Sequence, residues 1–311
     1  MEAFAMIKKI DIHVHTRKER AGRLANPIRR LNGGSLYATP SELRKMYDQI
    51  GVEKGVILPS NNPECAHMLV SNEDAYEISQ QYPETLPYWF CNINPKMGRN
   101  SPDTDLSHFL NYYKNLGARG VGEVTANLYF DDPLVENLFY HCEKCEMPLT
   151  FHIGNPGYGD YGLIDDIGLP RLERALEKFP KLKFLGHSQK FWAEIGPVTP
   201  KERDGYPTGP IKSEGRVVEL MRKYPNLFGD LSAHSGYNAV SRDPDFGYAF
   251  IEEFADRLFF GTDICSPENI TYPMLKLSAW LDEAVEKGHI SESAYRKVCR
   301  ENALKLLEGE K

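Results

Sequence analysis

Short apolar runs and helix-like stretches alternate eight times along the chain, and few folds accommodate that pattern. The runs are Ile7 to His15, Lys54 to Pro59, Leu86 to Ile93, Ala118 to Val124, Pro148 to Ile153, Leu182 to His187, Leu227 to Ser232 and Leu258 to Asp263. Helical periodicity covers 40–50, 71–82, 104–116, 134–146, 170–179, 214–224 and 245–256 between them, and two helices at 272–287 and 291–308 close the chain. Thr39-Pro40-Ser41-Glu42 supplies a capping residue and a first-turn proline, and Gly51 a stop. Nearly continuous apolar runs read as strands buried on both faces, which is the habit of parallel sheets covered by helices. Parallel strands joined by right-handed crossovers close, at eight units, into an α/β fold of the (β/α)8 TIM-barrel type. That fold commonly takes about 250 residues, so residues 1–311 are expected to form one domain with extended βα loops.

A barrel gathers the C-terminal ends of its strands on one rim, where active sites of this architecture lie. His13, His15, Glu123, His152, His187 and Asp263 all fall at such ends. Strand alternation places Asp11, His13 and His15 on one face, so two imidazoles aim at one point. His-x-His alone is a weak signal, and His152 or His187 taken singly reads better as a hydrogen-bonded core histidine. Four strand ends carrying the same kind of chemistry reverse that judgement. Three or four imidazoles with one or two carboxylates suit zinc, and also manganese, iron or cobalt, as one or two ions. Such an ion lowers the pKa of a bound water from about 15.7 towards 7, and Asp263 is placed to bind the ion and take the proton.

The order Asp-x-His-x-His, then His152, His187 and Gly261-Thr262-Asp263, resembles the amidohydrolase superfamily. More narrowly it is similar to the amidohydrolase-related branch, which holds hydrolases and non-oxidative decarboxylases such as aminocarboxymuconate-semialdehyde decarboxylase and resorcylate decarboxylase. The resemblance runs through nearly the whole chain, to Glu301-Asn302-Ala303 and Leu307 in the last helix. It implies that His13, His15, His152 and Asp263 bind metal, and that His187 is a second-metal ligand or a hydrogen-bond donor and acid/base. Strand four offers Glu123, either as a bridge between two ions or as a partner that orients a ligating histidine. Asp11, one step deeper, is expected to be an interior acid.

The rim loops bear on the substrate. The first contains Arg17, Lys18, Arg20, Arg23, Arg29 and Arg30 against Glu19, in a chain whose net charge is −7. Guanidinium groups grip carboxylates and phosphates, yet the same arginines serve as well to solvate a loop or to pair between identical subunits. Ser188 to Ser213 is a long segment without periodicity, read as a lid or binding loop, and it supplies Gln189, Lys190, Trp192 and Glu194. His234, just beyond strand seven, faces the same rim. Arg17, Lys190, Trp192 and His234 are therefore the candidate substrate contacts, whereas His67, His108, His141 and His289 read as surface residues.

The acidic balance argues against a nucleic-acid partner. No run reaches membrane-spanning length and no leader-like segment opens the chain, so a cytoplasmic protein is expected. Six scattered cysteines fit a reducing compartment. Cys142-Glu143-Lys144-Cys145 lies in a helix without a second cysteine pair and reads as structural. The expected function is a metal-dependent hydrolase that uses metal-activated water on a small carbonyl, ester, lactone or amide substrate. A metal-dependent decarboxylase (a lyase) of a small carboxylic acid is the alternative, and a barrel that binds without turnover the third reading.

Overall fold

The computed structural model describes residues 6–19, 36–64 and 69–309. Its strands are β1 (Lys9–Val14), β2 (Val52–Ile57), β3 (Tyr88–Trp89), β4 (Val121–Val124), β5 (Leu149–Gly154), β6 (Leu163–Ile164), β7 (Phe184–His187), β8 (Leu227–Asp230) and β9 (Leu258–Phe259). Every ladder between them is parallel. They form two sheets, β1-β2-β3 and β4-β5-β7-β8-β9, with β6 beside β5. Single bridges join the two at both seams, Cys91 with Val121 and Val14 with Ile264. The result is the TIM-barrel arrangement, its ring held at two places by bridges instead of continuous ladders. The eight expected strands appear in barrel order, and β6 is an extra two-residue strand in the loop after β5.

Ile10, Ile12, Val56, Leu58, Phe90, Leu185 and Phe259 come from five of the strands or their extensions and pack together inside the ring. Ala303 and Leu307 of the last helix join that cluster and plug its lower end. Asn302 ties the plug down, donating to the carbonyls of Ala255 at 2.7 Å and Leu258 at 2.9 Å. A buried lysine, Lys9, is paired with Asp282 at 2.7 Å, as a charge removed from water must be. The helix Pro40–Ile50 begins on a capping box at Thr39 and ends on left-handed Gly51, where the local signals place it. The helix Ala233–Ser241 was not expected, since Ala-His-Ser-Gly-Tyr-Asn carries little helical signal; its packing against neighbouring helices sustains it.

Two short helices, Gln189–Ala193 and Pro200–Arg203, break up the segment read as a lid. A buried ion pair anchors it: Arg203 Nε lies 2.5 Å from Glu194 Oε1, and Arg203 also donates to the Asp165 carbonyl at 3.0 Å. Glu194 in turn accepts the Gly168 N–H at 2.7 Å. The segment is a fixed wall of the barrel. Charge pairing, invisible to a periodicity argument, is what orders it.

One extra residue in β1, between Asp11 and Val14, breaks the expected alternation. Asp11 therefore does not share a face with the histidines. It is fully buried and turns towards the surrounding helices, where it accepts bonds from Tyr47 Oη at 2.7 Å, Thr262 Oγ1 at 2.6 Å, Thr262 N at 2.8 Å and His13 N at 3.0 Å. Burial pushes this acid up to about 6, against the pull of those four donors. Asp11→Ala should strand two backbone N–H groups and lower stability by about 3 kcal/mol. Asp11→Asn should retain most of it, because one amide oxygen serves the N–H groups while both hydroxyls rotate to accept. Equal denaturant midpoints for Asp11→Ala and wild type would show the clasp to be inert.

Candidate metal centre

His13 and His15 meet at the upper end of β1 with their Nε2 atoms 3.2 Å apart. Each ring has its other nitrogen engaged, His13 Nδ1 on Asp230 Oδ2 at 2.7 Å and His15 Nδ1 on the Leu58 carbonyl at 2.8 Å. A neutral imidazole carries one N–H, and both acceptors require it on Nδ1, so with both rings neutral two lone pairs face each other. Asp263 Oδ1 joins them, 3.7 Å from His13 Nε2 and 3.4 Å from His15 Nε2. Electron pairs crowded in this way repel unless positive charge lies among them, and the donor set fits a divalent cation.

A second group adjoins the first. Glu123 Oε1 lies 2.6 Å from His152 Nδ1 and 3.6 Å from His187 Nε2, while Oε2 is 3.9 Å from His15 Nε2. Ligand atoms of His13, His15 and Glu123 fall within 4.8 Å of one another, as do those of Glu123, His152 and His187, and those of His13, His187 and Asp230. The electrostatics agree with a cation-seeking centre. Burial alone would depress His13, but Asp230, Asp263 and Glu123 outweigh it and push the imidazole up to about 10. Burial would likewise raise Glu123, yet His152, His187 and His13 hold it well below the usual carboxylate range. Asp263 is lowered against burial by His15, His13 and His187. His187 is lowered by burial and by the neighbouring His13.

A cavity of about 150 Å³ opens on these groups, lined on its other sides by Tyr37, Pro59, Ser60, Asn92, Thr125, Tyr161 and Cys265. Tyr37 stacks on His15 at 5.5 Å, and Tyr161 lies 4.6 Å from the His152 ring. All six rim residues read from the sequence are thus brought together. The candidate substrate contacts are placed elsewhere. Arg17 donates to the Tyr37 carbonyl at 2.9 Å, Lys190 pairs with Asp204, and Trp192 is a core residue whose Nε1 donates to the Asp230 carbonyl at 2.8 Å. His234 sits against Tyr206, ring centroids 4.3 Å apart, outside the cavity lining. Lys18 pairs with Asp74 at 2.7 Å, and Arg20, Arg23, Arg29, Arg30 and His67 lie outside the described residues. His108 and His289 are exposed as expected. His141 is not: its helix turns it into the interior, 3.5 Å from Asp105. Sequence reasoning missed Asp230, whose only signal is an acid ending an apolar run, and the uncharged wall of Ser60, Asn92 and Thr125. Cys142 and Cys145 are buried free thiols, and no described helix is long and apolar enough to cross a membrane.

Comparison with known proteins places this arrangement in context. A family model described as amidohydrolase matches residues 10–309. No curated protein sequence matches the chain. Among solved structures, an uncharacterized TIM-barrel protein from Bordetella bronchiseptica is similar at 20% identity and a TM-score of 0.59, over 96% of this chain and 99% of that one. A probable 2-pyrone-4,6-dicarboxylic acid hydrolase from Acinetobacter baumannii, with citric acid bound, aligns at 14% identity and a TM-score of 0.58, over 97% and 100%. A dihydroxybenzoic acid decarboxylase from Polaromonas sp. JS666, with bound manganese and the inhibitor 2-nitroresorcinol, aligns at 16% and 0.55, over 97% of each chain.

Proposed function

The chain belongs to the amidohydrolase family, and from that premise we propose that it is an enzyme hydrolysing a small carbonyl, ester, lactone or amide substrate with the help of a divalent ion. One observation carries the reading: two imidazole Nε2 atoms 3.2 Å apart, each under 4 Å from an Asp263 oxygen. His13, His15, His152 and Asp263 would hold the ion, with zinc the first candidate for this donor set and manganese, iron and cobalt close behind. When bound, the ion supplies Lewis acidity, which polarises a carbonyl oxygen and makes water acidic enough to ionise near neutral pH. We read one ion, with Glu123 orienting His152, because its Oε1 lies within hydrogen-bond distance of that ring.

Asp263 is held ionised and takes the proton of the attacking water. His187 Nε2, 4.0 Å from Asp263 Oδ2, receives that proton and returns it to the leaving group. Ser60, Asn92 and Thr125 hold the polar part of the substrate, and Tyr37 and Tyr161 flank its apolar part. A cavity of about 150 Å³ admits a small molecule only. Arg17, Lys190 and Trp192 support the walls, and His234 with Tyr206 stands outside the lining.

Hydrolysis is favoured over decarboxylation by charge. The described lining presents Glu123 and Asp263 and neither lysine nor arginine, so it offers a substrate carboxylate no ammonium or guanidinium partner. The metal-loaded enzyme should turn over a member of a panel of small esters, lactones, amides and aromatic carboxylates, and in 18O-water the product should carry the label. Stoichiometric carbon dioxide release without label would replace this reading with a lyase.

A further inference from the structure

We propose that Asp230 and Ser232, at and just beyond the end of β8, set the tautomers of His13 and His187, and so decide that the nitrogen each ring turns to the metal centre presents a lone pair. Asp230 is 1% exposed and Ser232 fully buried. Asp230 Oδ2 serves two rings, lying 2.7 Å from His13 Nδ1 and 3.5 Å from His187 Nδ1. Its Oδ1 accepts the Ser232 N–H at 2.9 Å, and Ser232 Oγ lies 3.0 Å from His187 Nδ1. The backbone of the last strand makes room for this cluster. A Cβ at Gly261 would stand 2.9 Å from Asp230 Oδ1 and 2.7 Å from the Ser232 Cβ.

An ionised carboxylate only accepts, so a ring facing it must carry its hydrogen on Nδ1. His13 Nδ1–H donates to Asp230, which leaves Nε2 a lone pair towards His15 and Asp263. His187 Nδ1–H divides between Ser232 Oγ and the longer contact to Asp230, and its Nε2 is then an acceptor as well. The two residues are positioning residues. They do not touch the cavity, and they act through the imidazoles they hold. A ring flipped to the other tautomer would point an N–H into the centre and exclude a cation from it.

The inference rests on the metal reading above, and the test separates the two. Zn2+ affinity is measured by competition with a chromogenic chelator, and ring tautomers by 15N-detected imidazole signals of the ion-free protein titrated to where each ring is neutral. In Asp230→Asn the amide oxygen stays with the Ser232 N–H and the NH2 group faces His13 Nδ1. His13 should then carry its hydrogen on Nε2, and Zn2+ affinity should fall about 10- to 100-fold. Ser232→Ala should convert His187 to a mixture of tautomers, while Zn2+ affinity stays within about threefold of wild type, short of that outer-partner loss. Wild-type affinity and an unchanged His13 signal in Asp230→Asn would overturn the proposal, as would an unchanged His187 signal in Ser232→Ala. Should Asp230→Asn fail to fold by circular dichroism, the Ser232→Ala spectrum decides. A wild-type protein that binds no Zn2+ removes the metal reading but leaves the tautomers readable.

Discussion

His13→Ala is expected to emerge from purification without stoichiometric metal. The substitution deletes the nitrogen that faces His15 Nε2 at 3.2 Å, and it also leaves the buried Asp230 carboxylate without its 2.7 Å partner. Loss of a direct ligand should exceed the roughly 10- to 100-fold typical of outer partners, and elemental analysis showing wild-type metal content would remove His13 from the ligand set. A proton effect accompanies this. Three carboxylates push the His13 imidazole up to about 10, and a ligating imidazole must be neutral. Below that pH each ion bound displaces a proton. Affinity should therefore rise with pH, and drop about tenfold for each unit of acidification below 10 while this ring alone competes. Binding at pH 7 followed with a pH indicator should show about one proton released; no release would mean that His13 is already neutral.

Asp263→Asn should lower kcat by about 10²- to 10⁴-fold, the usual worth of a positioned general base. The change is conservative for the chain. Asp263 adopts a left-handed conformation with φ 55°, which asparagine tolerates and most residues do not, so the turn after β9 should survive. The amide retains an oxygen within 3.4–3.7 Å of His13 and His15, so part of the metal should remain. What disappears is the ability to accept a proton, because an amide has no basic oxygen near neutral pH. Activity within tenfold of wild type at equal metal occupancy would take the base role from Asp263.

Much of this protein could be read before its structure was known, and the reason is local. Thr39, Pro40 and Gly51 bound a helix by chemistry confined to that helix, and His152, His187 and Asp263 end apolar runs that a barrel must bring to one rim. What escaped reading depends on partners distant in sequence. Asp230 is an ordinary acid until His13 is set against it, 217 residues away. Trp192 and Lys190 follow His187 directly and invite a role in the cavity, but a short helix carries them into the core and onto Asp204. The bulge in β1 turned Asp11 away from the histidines, and no periodicity argument locates a single inserted residue. The four candidate substrate contacts fall outside the cavity lining for a related reason. Charged and aromatic residues draw notice, whereas the wall opposite the histidines is built from Ser60, Asn92 and Thr125.

The Asp11 clasp bears on how the chain is made. Its partner Thr262 lies 251 residues downstream, and Asp263 follows at once. At translation rates of about 5–20 residues per second, the first strand leaves the ribosome roughly 13 to 50 s before the last one. Throughout that interval β1 lacks one neighbour, its edge N–H groups are open to pairing with other chains, and of the carboxylates that face the two histidines Asp263 is still missing. Asp263 is thus the last of the proposed ligands to be made, and a chain halted before Thr262 carries the histidine pair without it.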